Sequence, residues 1–515
     1  MYLGLDSSTQ SLSAVLLDSA SGKILSSHSV NFGMDLPEYG APSGFIPGGE
    51  RGEVHADPLM WLDALDLLFE KISRDTDLSK VTHIGGSGQQ HGSVYLNADF
   101  EKTLENLDPG KSLSSQLSRT LARATSPIWM DTSTGVECAE ITAALGGSAE
   151  VCARSGSVAI ERFTGPQIRR FSKNDPVGYQ ATAQIHLVSS FIASVLAGQS
   201  FPIDFGDGAG MNLLNLTDLK WDTGLLEATA PGLSEKLLPA ASCLEAQGTA
   251  SSYFMAKYGL SSTCKICSFT GDNPASLVGM GAGTPGQIVI SLGTSDTFFA
   301  AMPDAKTDPR GFGHVFGNPA GGFMSLICFR NGSLAREALR DDLGVDWSAF
   351  EKNALAETSG SAGKNLTLPF YGAEITPRHD FHSPVTSFAE EPTPALRIRS
   401  LLEGQFLNMR LHSAWMGVET KSIRLTGGAS KNDGIAQLVA DVFQAPVERL
   451  DVANSAALGA ALIAAAADGN DLLKLQEIFC KPSAESLLQP QRLLAGKYST
   501  ALEEFGKLLE TTINS

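Results

Sequence analysis

Residues 2–30, YLGLDSSTQSLSAVLLDSASGKILSSHSV, contain the pattern that decides the fold. Three apolar runs are separated by the short polar segments SSTQ and SASGK, which predicts an antiparallel β-meander with tight turns. Residues 287–301, QIVISLGTSDTFFAA, repeat its first part, with a Gly/Ser/Thr turn between two strands. Either segment alone is compatible with an ordinary hairpin. Together they indicate two related domains, each with a turn whose amides and hydroxyls could bind phosphate oxygens.

Helical and extended patterns alternate along the rest of the chain, which predicts an α/β fold. Asp57 and Pro58 are residue types of a helix N-cap and first turn, and VTHIGGSGQ at 81–89 returns as a strand. Residues 422–443 combine a strand, the turn GGAS and a helix start. A helix N-terminus after a glycine turn is a candidate site for nucleotide phosphates.

The glycine-rich segment GMGAGTPG at 279–286 lies just before the second hairpin and marks a domain boundary. We therefore expect a first domain over residues 1–280 and a second over residues 281–515. The second domain should end in extra amphipathic helices from about residue 471.

Composition and charge exclude several kinds of protein. The 515 residues are 43% hydrophobic and 18% charged, as in soluble globular proteins. Lysine and arginine number 38 against 56 aspartates and glutamates, a net charge of −18 with no basic block, so we expect neither nucleic acid nor membrane as a partner. The start MYLGLDSSTQ lacks a basic and a long apolar segment, and the seven scattered cysteines suit a reducing compartment. These features predict a cytoplasmic protein.

Two aspartates stand where a predicted strand meets a polar turn. Asp272 follows the strand expected at 264–269. Phosphoryl transfer to an alcohol needs a carboxylate that accepts the hydroxyl proton, so Asp272 is a candidate general base. The local sequence alone favours the alternative, in which Asp272 caps a helix beginning near Pro274. Asp6 ends the first strand and could hold Mg²⁺ or cap the turn that follows.

Other polar residues beside glycines are weaker candidates. His91 in GQQHG and Arg162 in ERFTG could donate hydrogen bonds to sugar hydroxyls, or could serve structural roles alone. Asp207, in IDFGDGAG at 203–210, is a second-rank catalytic candidate. The local sequence leaves these alternatives open.

Taken in order, eight segments resemble the FGGY-type carbohydrate kinases of the glycerol kinase and xylulokinase superfamily, with the greatest likeness to its xylulokinase branch. They are LGLDSST at 3–9, GQQHG at 88–92, SPIWMD at 126–131, ERFTG at 161–165, DFGDGAGMNLL at 204–214, FTGDNPAS at 269–276, SLGTSDT at 291–297 and LTGGASKN at 425–432. The resemblance covers roughly residues 1–470. It implies two duplicated ribonuclease-H-like, actin-like ATPase domains with an active-site cleft between them, in agreement with the paired hairpins.

The resemblance also implies an ATP- and Mg²⁺-dependent phosphorylation of D-xylulose to D-xylulose 5-phosphate, with Asp272 as the general base. The implied contacts are Gln90, His91, Arg162, Asp272 and Asn273 to the sugar; Asp6 to Mg²⁺, with Ser8 and Thr9 beside the phosphates; Gly293, Thr294 and Ser295 to phosphate; and Gly427, Gly428, Ala429 and Asn432 to the nucleotide, with Trp347 near the adenine. The expected partners are a ketose sugar and ATP, and a homodimer is left open as the assembly.

Two departures from the family pattern leave the pocket details open. Bacterial-type xylulokinases often read GQMHG where this chain has GQQHG, and many members carry an arginine shortly after the aspartate where this chain reads DTST from Asp131. The alternatives are a kinase for another ketose or polyol, such as ribulose, fuculose, gluconate or glycerol, and a catalytically silent sugar sensor. An actin- or chaperone-like ATPase would not need the combination of His91, Arg162 and Asn273 with Asp272.

Overall fold

The computed structural model describes residues 1–308, 310–356, 365–450, 454–482 and 486–515. In these ranges the strands are β1 Tyr2–Ser7, β2 Ser11–Asp18, β3 Lys23–Asn31, β4 His55–Ala56, β5 His83–Gly88, β6 Ser93–Leu96, β7 Ser126–Pro127, β8 Gln184–Leu187, β9 Leu214–Asn215, β10 Lys220–Trp221, β11 Ala246–Thr249, β12 Lys265–Cys267, β13 Thr270–Gly271, β14 Gln287–Leu292, β15 Asp296–Met302, β16 Gly313–Gly317, β17 Phe323–Phe329, β18 Thr367–Leu368, β19 Val385–Thr386, β20 Ser422–Thr426 and β21 Val447–Arg449.

The α-helices of the same ranges are α1 Phe32–Asp35, α2 Pro58–Asp75, α3 Phe100–Glu105, α4 Leu113–Leu117, α5 Gly135–Ala144, α6 Ser148–Ser155, α7 Thr164–Asn174, α8 Pro176–Ala181, α9 Val188–Ala197, α10 Phe205–Ala209, α11 Thr223–Thr229, α12 Ser252–Tyr258, α13 Asp272–Gly279, α14 Ser333–Leu343, α15 Trp347–Ala356, α16 Pro394–Ser413, α17 Asp433–Phe443, α18 Ser455–Ala467, α19 Leu472–Phe479 and α20 Ala495–Asn514. None of them combines the length and apolar character needed to cross a bilayer.

The chain forms two compact units. The first comprises residues 1–283, 315–323 and 452–480, and the second comprises residues 284–314, 324–451 and 481–515. The compact units therefore differ from the continuous ranges 1–280 and 281–515 that the sequence suggests. The reason is that residues 315–323 and the late helices α18 and α19 pack within the first unit.

The main sheet of the first unit is mixed. Its strand order is β11-β12-β5-β1-β2-β3, with β13 also paired to β5. The predicted meander is confirmed, since β1, β2 and β3 are antiparallel neighbours. β1 pairs in parallel with β5, and β5 pairs in parallel with β12 and β13. The parallel strands therefore end at one edge of the sheet.

The sheet of the second unit repeats this local pairing. β14 is antiparallel to β15 and parallel to β20, and β20 is parallel to β21. β14 therefore has the same kinds of neighbour as β1: the next strand of its own hairpin on one side and a later parallel strand on the other. This repetition is consistent with the predicted α/β fold of two related domains.

β1 is buried on both faces, as expected for a strand inside a mixed sheet. Leu3 and Leu5 belong to a core cluster with residues of α2, whereas Tyr2 belongs to one with residues of α18. Asp57 caps α2 as predicted, because its side chain accepts a hydrogen bond from the backbone N–H of Leu59. Helices therefore cover the sheet on both sides.

Small residues allow α18 to approach its neighbours very closely. A Cβ added to Gly459 would lie 1.8 Å from the carbonyl oxygen of Ala275 on α13, and one added to Gly279 would lie 1.9 Å from that of Ser455. A Cβ at Gly4 on β1 would lie 2.1 Å from the Ala457 carbonyl oxygen. The backbones are therefore in direct contact, which only glycine permits at these positions.

We expect Gly459→Ala to lower the free energy of unfolding by about 3 kcal/mol or more, because the new methyl group collides with backbone rather than with a movable side chain. Thermal denaturation followed by circular dichroism measures this. Gly496→Ala on α20 is the control, since nothing lies within 4 Å of its added Cβ. Equal melting temperatures for the two variants would contradict the tight packing.

Candidate active site

β1, β5 and β13 end side by side in the first unit. Asp6 on β1 pairs in register with Ser87 on β5, and Ser87 pairs in register with Thr270 on β13. In open α/β sheets ligands bind beyond the carboxyl ends of the parallel strands. The chain leaves this edge through Gln90 after β5 and through Asp272 after β13. The strand pairing thus brings separate parts of the chain to one place.

Asp272 is the first residue of α13, and Gly271 is the N-cap of this helix. The helix therefore begins two residues before Pro274, so the interpretation of Asp272 as a cap for a helix starting at Pro274 is wrong. One carboxylate oxygen of Asp272 accepts from the backbone N–H of Asn273 at 2.8 Å. The side chain is only partly buried, so it can meet a ligand.

Burial raises the pKa of Asp272 to about 7, and the negative charge of Asp6 adds to the rise. Backbone N–H groups of Asn273 and Gln90 oppose the shift by stabilising the charged form. A carboxylate whose pKa lies near neutral pH is well suited to take up a proton in a reaction at that pH. The pKa of Asp272 is thus suited to a general base.

Asp6 is nearly buried, and burial raises its pKa to about 6. Ser87 donates a hydrogen bond of 2.8 Å to one oxygen of this carboxylate. Across the described residues, no cluster of three or more His, Cys, Asp and Glu side chains could hold a metal ion by itself. Mg²⁺ commonly takes one or two protein carboxylates and fills its other positions with phosphate and water, so a single carboxylate at Asp6 fits that mode of binding.

The short helix α10 supports two of the predicted sugar-contacting residues. The side-chain amide of Gln90 donates to the carbonyl oxygen of Gly206 at 3.4 Å, and the ring Nδ1 of His91 lies 2.7 Å from that of Gly210. Asn273 donates to the Gln90 side-chain oxygen at 2.8 Å. Asn273, Gln90 and His91 are therefore held in one hydrogen-bonded arrangement.

The contact with Gly210 sets the hydrogen-bonding role of His91. Burial, followed by the charge of Arg162, lowers the pKa of His91 to about 3, so the ring is neutral. A carbonyl oxygen can only accept, so Nδ1 carries the proton and Nε2 has a free lone pair. In this neutral form Nε2 of His91 is an acceptor, whereas the sequence suggested a donor to the sugar.

Phe163 links His91 to Arg162. The rings of His91 and Phe163 have centroids 4.4 Å apart, and the Arg162 guanidinium carbon lies 5.5 Å from the centroid of Phe163. The motif ERFTG pointed to Arg162 and left Phe163 unassigned. Its aromatic ring in the middle of the motif was the available signal.

Asp207 is fully buried on α10, where Ser189 donates to its Oδ2 at 2.5 Å and its Oδ1 has no hydrogen-bond partner. Burial raises its pKa well above the ordinary value. A carboxyl group sealed in the interior does not reach a ligand. Asp207 therefore supports α10 and is not favoured as a group that contacts substrate.

Ser8 and Thr9 form the turn after Asp6. The Ser8 hydroxyl donates to the carbonyl oxygen of Ser11 at 3.0 Å, and the Thr9 hydroxyl accepts from the indole N–H of Trp129 at 2.8 Å. The turn is therefore held by one hydrogen bond within the hairpin and one to the distant Trp129.

The second unit has a cavity of about 480 Å³ beside the hairpin turn between β14 and β15. Several predicted nucleotide residues line it: Gly293, Thr294, Trp347, Gly428, Ala429 and Asn432. Ser295 lies exposed in the same turn, outside the lining. Gly427 also lies outside the lining. Its φ is 90°, and a Cβ added to it would lie only 2.3 Å from the Leu292 carbonyl oxygen, so Gly427 packs directly against the start of the turn.

The sequence did not identify the rest of this lining. The remaining residues are Leu292, Ser333, Arg336, Glu337, Phe350, Glu351, Lys431 and Ile435. Most of them lie on α14, α15 and α17, where an amphipathic helix gives no signal for which polar side chain faces a cavity. Trp347 was identified; it is 42% exposed, with the Arg340 guanidinium 4.6 Å from its ring centroid.

Comparison with known proteins matches both halves of the chain to one family. Residues 1–279 match the N-terminal domain of the FGGY family of carbohydrate kinases, and residues 288–467 match its C-terminal domain. The chain is 42% identical to rat xylulose kinase, covering 89% of this chain and 87% of the relative. It is 39% identical to Arabidopsis thaliana xylulose kinase 2, covering 90% and 87%.

Solved structures share the fold over the whole chain. A xylulose kinase from Rhodospirillum rubrum has a TM-score of 0.82 at 21% identity, with 99% of this chain and 98% of that chain covered. A gluconate kinase from Lactobacillus acidophilus has a TM-score of 0.81 at 19% identity, with 100% and 98% covered. At this identity the likeness concerns the fold alone.

We expect Asp272→Asn to unfold at a higher temperature than the native chain at pH 8. The pKa of this carboxyl is about 7 in the folded state and 3.8 as its ordinary value, so ionisation destabilises the fold as pH rises through this window. The gain in stability should grow by roughly 1 kcal/mol per pH unit between pH 5 and pH 7, since one pKa unit corresponds to about 1.4 kcal/mol.

Thermal melts of both proteins at pH 5, 6, 7 and 8 provide the measurement. Asp75→Asn is the control, because Asp75 is exposed at the end of α2. A gain for Asp272→Asn that is the same at every pH would show that the carboxylate is not penalised by burial.

Proposed function

The chain belongs to the FGGY family of carbohydrate kinases, and from this premise we propose that it transfers the γ-phosphoryl group of ATP to D-xylulose, giving D-xylulose 5-phosphate and ADP. The choice of sugar is carried by one observation: sequence identity of 36 to 42% to xylulose kinases of rat, Arabidopsis thaliana and Schizosaccharomyces pombe, over 89 to 99% of this chain. The partners are a ketose and ATP, and the reaction takes place in the cytoplasm.

Asp272 is the general base of this reaction. As the acceptor hydroxyl oxygen attacks the γ-phosphorus, its proton passes to the Asp272 carboxylate, while the bond from phosphorus to the β,γ-bridging oxygen breaks and ADP leaves. The raised pKa, about 7, supports this role because the carboxylate is ionised in part at neutral pH and still basic enough to accept the proton.

The sugar is bound by polar groups around Asp272. Asn273 and Gln90 are joined by a hydrogen bond of 2.8 Å and present one continuous polar edge to the sugar hydroxyls. His91 accepts a hydrogen bond from a hydroxyl through Nε2, and Arg162 donates to an oxygen of the ketose. Because His91 can only accept, the sugar must offer a hydroxyl at this point and not its carbonyl oxygen.

ATP binds in the cavity of the second unit, with its phosphates at the turn Gly293–Ser295 and its adenine near Trp347. Gly428, Ala429 and Asn432 line the nucleotide site, and Gly427 supports it from behind. Asp6 would hold Mg²⁺, and Ser8 and Thr9 would contact the phosphates. When bound, the ion neutralises charge on the phosphate oxygens, the contribution that phosphoryl transfer needs most besides positioning.

The test is ATP consumption with product identification over D-xylulose, ribulose, fuculose, gluconate and glycerol, in the presence of Mg²⁺. We expect D-xylulose to give the largest kcat/KM and Asp272→Asn to lower kcat by about 10² to 10⁴, the usual effect of losing a general base. For the native enzyme, kcat/KM should fall as pH drops below about 7, because protonated Asp272 cannot accept the proton.

Each other outcome has a distinct meaning. A different preferred sugar with the same loss in Asp272→Asn would overturn the substrate and keep the kinase. ATP turnover that no sugar stimulates would favour an ATPase, and sugar binding without turnover would favour a sugar sensor. Full activity of Asp272→Asn would remove Asp272 as the base.

We expect His91→Asn to raise KM for the sugar by roughly 3- to 10-fold with little change in kcat, the effect of one lost neutral hydrogen bond. Asparagine suits the position because residue 91 has φ of 73°, a left-handed conformation that asparagine adopts readily. Steady-state kinetics at varied sugar concentration separate KM from kcat. A large fall in kcat at unchanged KM would contradict a role in sugar binding.

A further inference from the structure

A buried ion pair lies at the base of the turn Gly293–Ser295. Asp296 is the first residue of β15 and Arg336 lies on α14. The Arg336 guanidinium donates from Nη1 to Asp296 Oδ2 at 3.0 Å and from Nη2 to Asp296 Oδ1 at 2.9 Å, which is a bidentate geometry. Both side chains are almost completely buried, with 2% and 1% of their surface exposed for Arg336 and Asp296.

This pair is connected to a wider network in the second unit. Arg336 Nη1 also donates to the side-chain oxygen of Gln405 at 3.0 Å, and the Gln405 amide donates to the carbonyl oxygens of Asn331 and Gly332 at 2.7 and 2.9 Å. Burying two charges is expensive, and an apolar pair of similar volume often replaces them without loss of stability. Stability alone therefore does not explain why this ion pair is buried.

The orientation of one peptide group supplies that reason. The Gly293 carbonyl oxygen accepts from the backbone N–H of Ser333 at 2.9 Å and from Arg336 Nη2 at 3.4 Å. In a trans peptide the carbonyl and the following N–H point in opposite directions. With the Gly293 carbonyl held on the side of α14, the N–H of Thr294 points away from α14, and Thr294 lines the nucleotide cavity.

Backbone from two other segments packs against the two ends of the turn. A Cβ added to Gly332 would lie 2.7 Å from Asp296 Oδ1, so the loop before α14 packs directly on the carboxylate. Gly427 packs as closely on the other side of the turn, against Leu292. Thr294 and Ser295 at the tip of the turn are exposed, so packing alone does not fix the peptide. Its orientation depends on the polar contacts that the Gly293 carbonyl makes with Ser333 and Arg336.

We propose that the Asp296–Arg336 pair is a positioning device that fixes the Gly293–Thr294 peptide so that the Thr294 N–H faces a phosphate of bound ATP. The proposal rests on the function proposed above. Asp296 and Arg336 are positioning residues: Arg336 acts through the Gly293 carbonyl, and Asp296 acts by holding Arg336.

The test measures binding of ATP, ADP and adenosine, each with Mg²⁺, by isothermal titration calorimetry for the native protein, Asp296→Asn and Arg336→Lys. We expect both variants to bind ATP and ADP at least about 10-fold more weakly, since a hydrogen bond to a charged group is worth about 1.5 to 3 kcal/mol. Adenosine should bind within about 2-fold of the native affinity, because it has no phosphate. Asp342→Asn is the control, as Asp342 forms an exposed ion pair with Arg397.

The two variants separate positioning from direct contact. If Arg336 were itself a phosphate ligand, Asp296→Asn would bind ATP as well as the native protein or better, because a negative charge near the phosphates is removed. That result would overturn the proposal, as would an equal loss of adenosine affinity. A native protein that binds adenosine and phosphorylates sugar, with variants that keep ATP affinity, would overturn this inference and leave the proposed function intact.

A second measurement does not depend on the folding of any variant. In the native protein, ATP should slow hydrogen exchange at the Thr294 amide at least 10-fold relative to adenosine, because a phosphate oxygen accepts from that N–H. Equal exchange with the two ligands would overturn the proposal. A native protein that binds no ATP would remove the proposed function and this inference together.

Discussion

The in-register pairing of β1, β5 and β13 is the constraint on which the first unit depends. Because parallel strands end at a common edge, a shift of one residue in either pairing would turn Asp6 or the start of α13 to the opposite face. Burial raises the pKa of Asp272, and the same pairing adds to the rise because it places a second carboxylate, Asp6, nearby. The separation of the Asp6 and Asp272 carboxylates is set by the register of the strands and not by the sequence next to either residue.

Much of the secondary structure could be predicted from the sequence alone. The alternation of apolar residues predicted the hairpins, and Asp57 predicted the start of α2, because both signals are local. The helix start at Asp272 was placed two residues too late, since Pro274 is an equally good first-turn residue and only tertiary pairing of β13 decides the boundary. The direction of the His91 hydrogen bond was unpredictable for the same reason: its partner, Gly210, lies 119 residues away in the chain.

The two sheets use one pairing pattern for different purposes. In the first unit the hairpin strand β1 ends in a carboxylate, Asp6, held by the hydroxyl of Ser87. In the second unit β14 leads into a glycine turn whose carboxylate, Asp296, is turned inward and neutralised by Arg336. The motif SLGTSDT drew attention to the turn, but nothing in it predicted the arginine, because that partner lies on a helix 40 residues later.

The position of α18 in the first unit affects how the chain folds as it is made. One face of β1 is covered by residues between 455 and 467, so the ribosome must synthesise this late segment before that face can be buried. Until then, Tyr2, Val15 and Leu17 lack their apolar partners on α18. A nascent chain in this condition exposes apolar surface that favours aggregation, and the second unit can finish most of its sheet before the first unit closes its own.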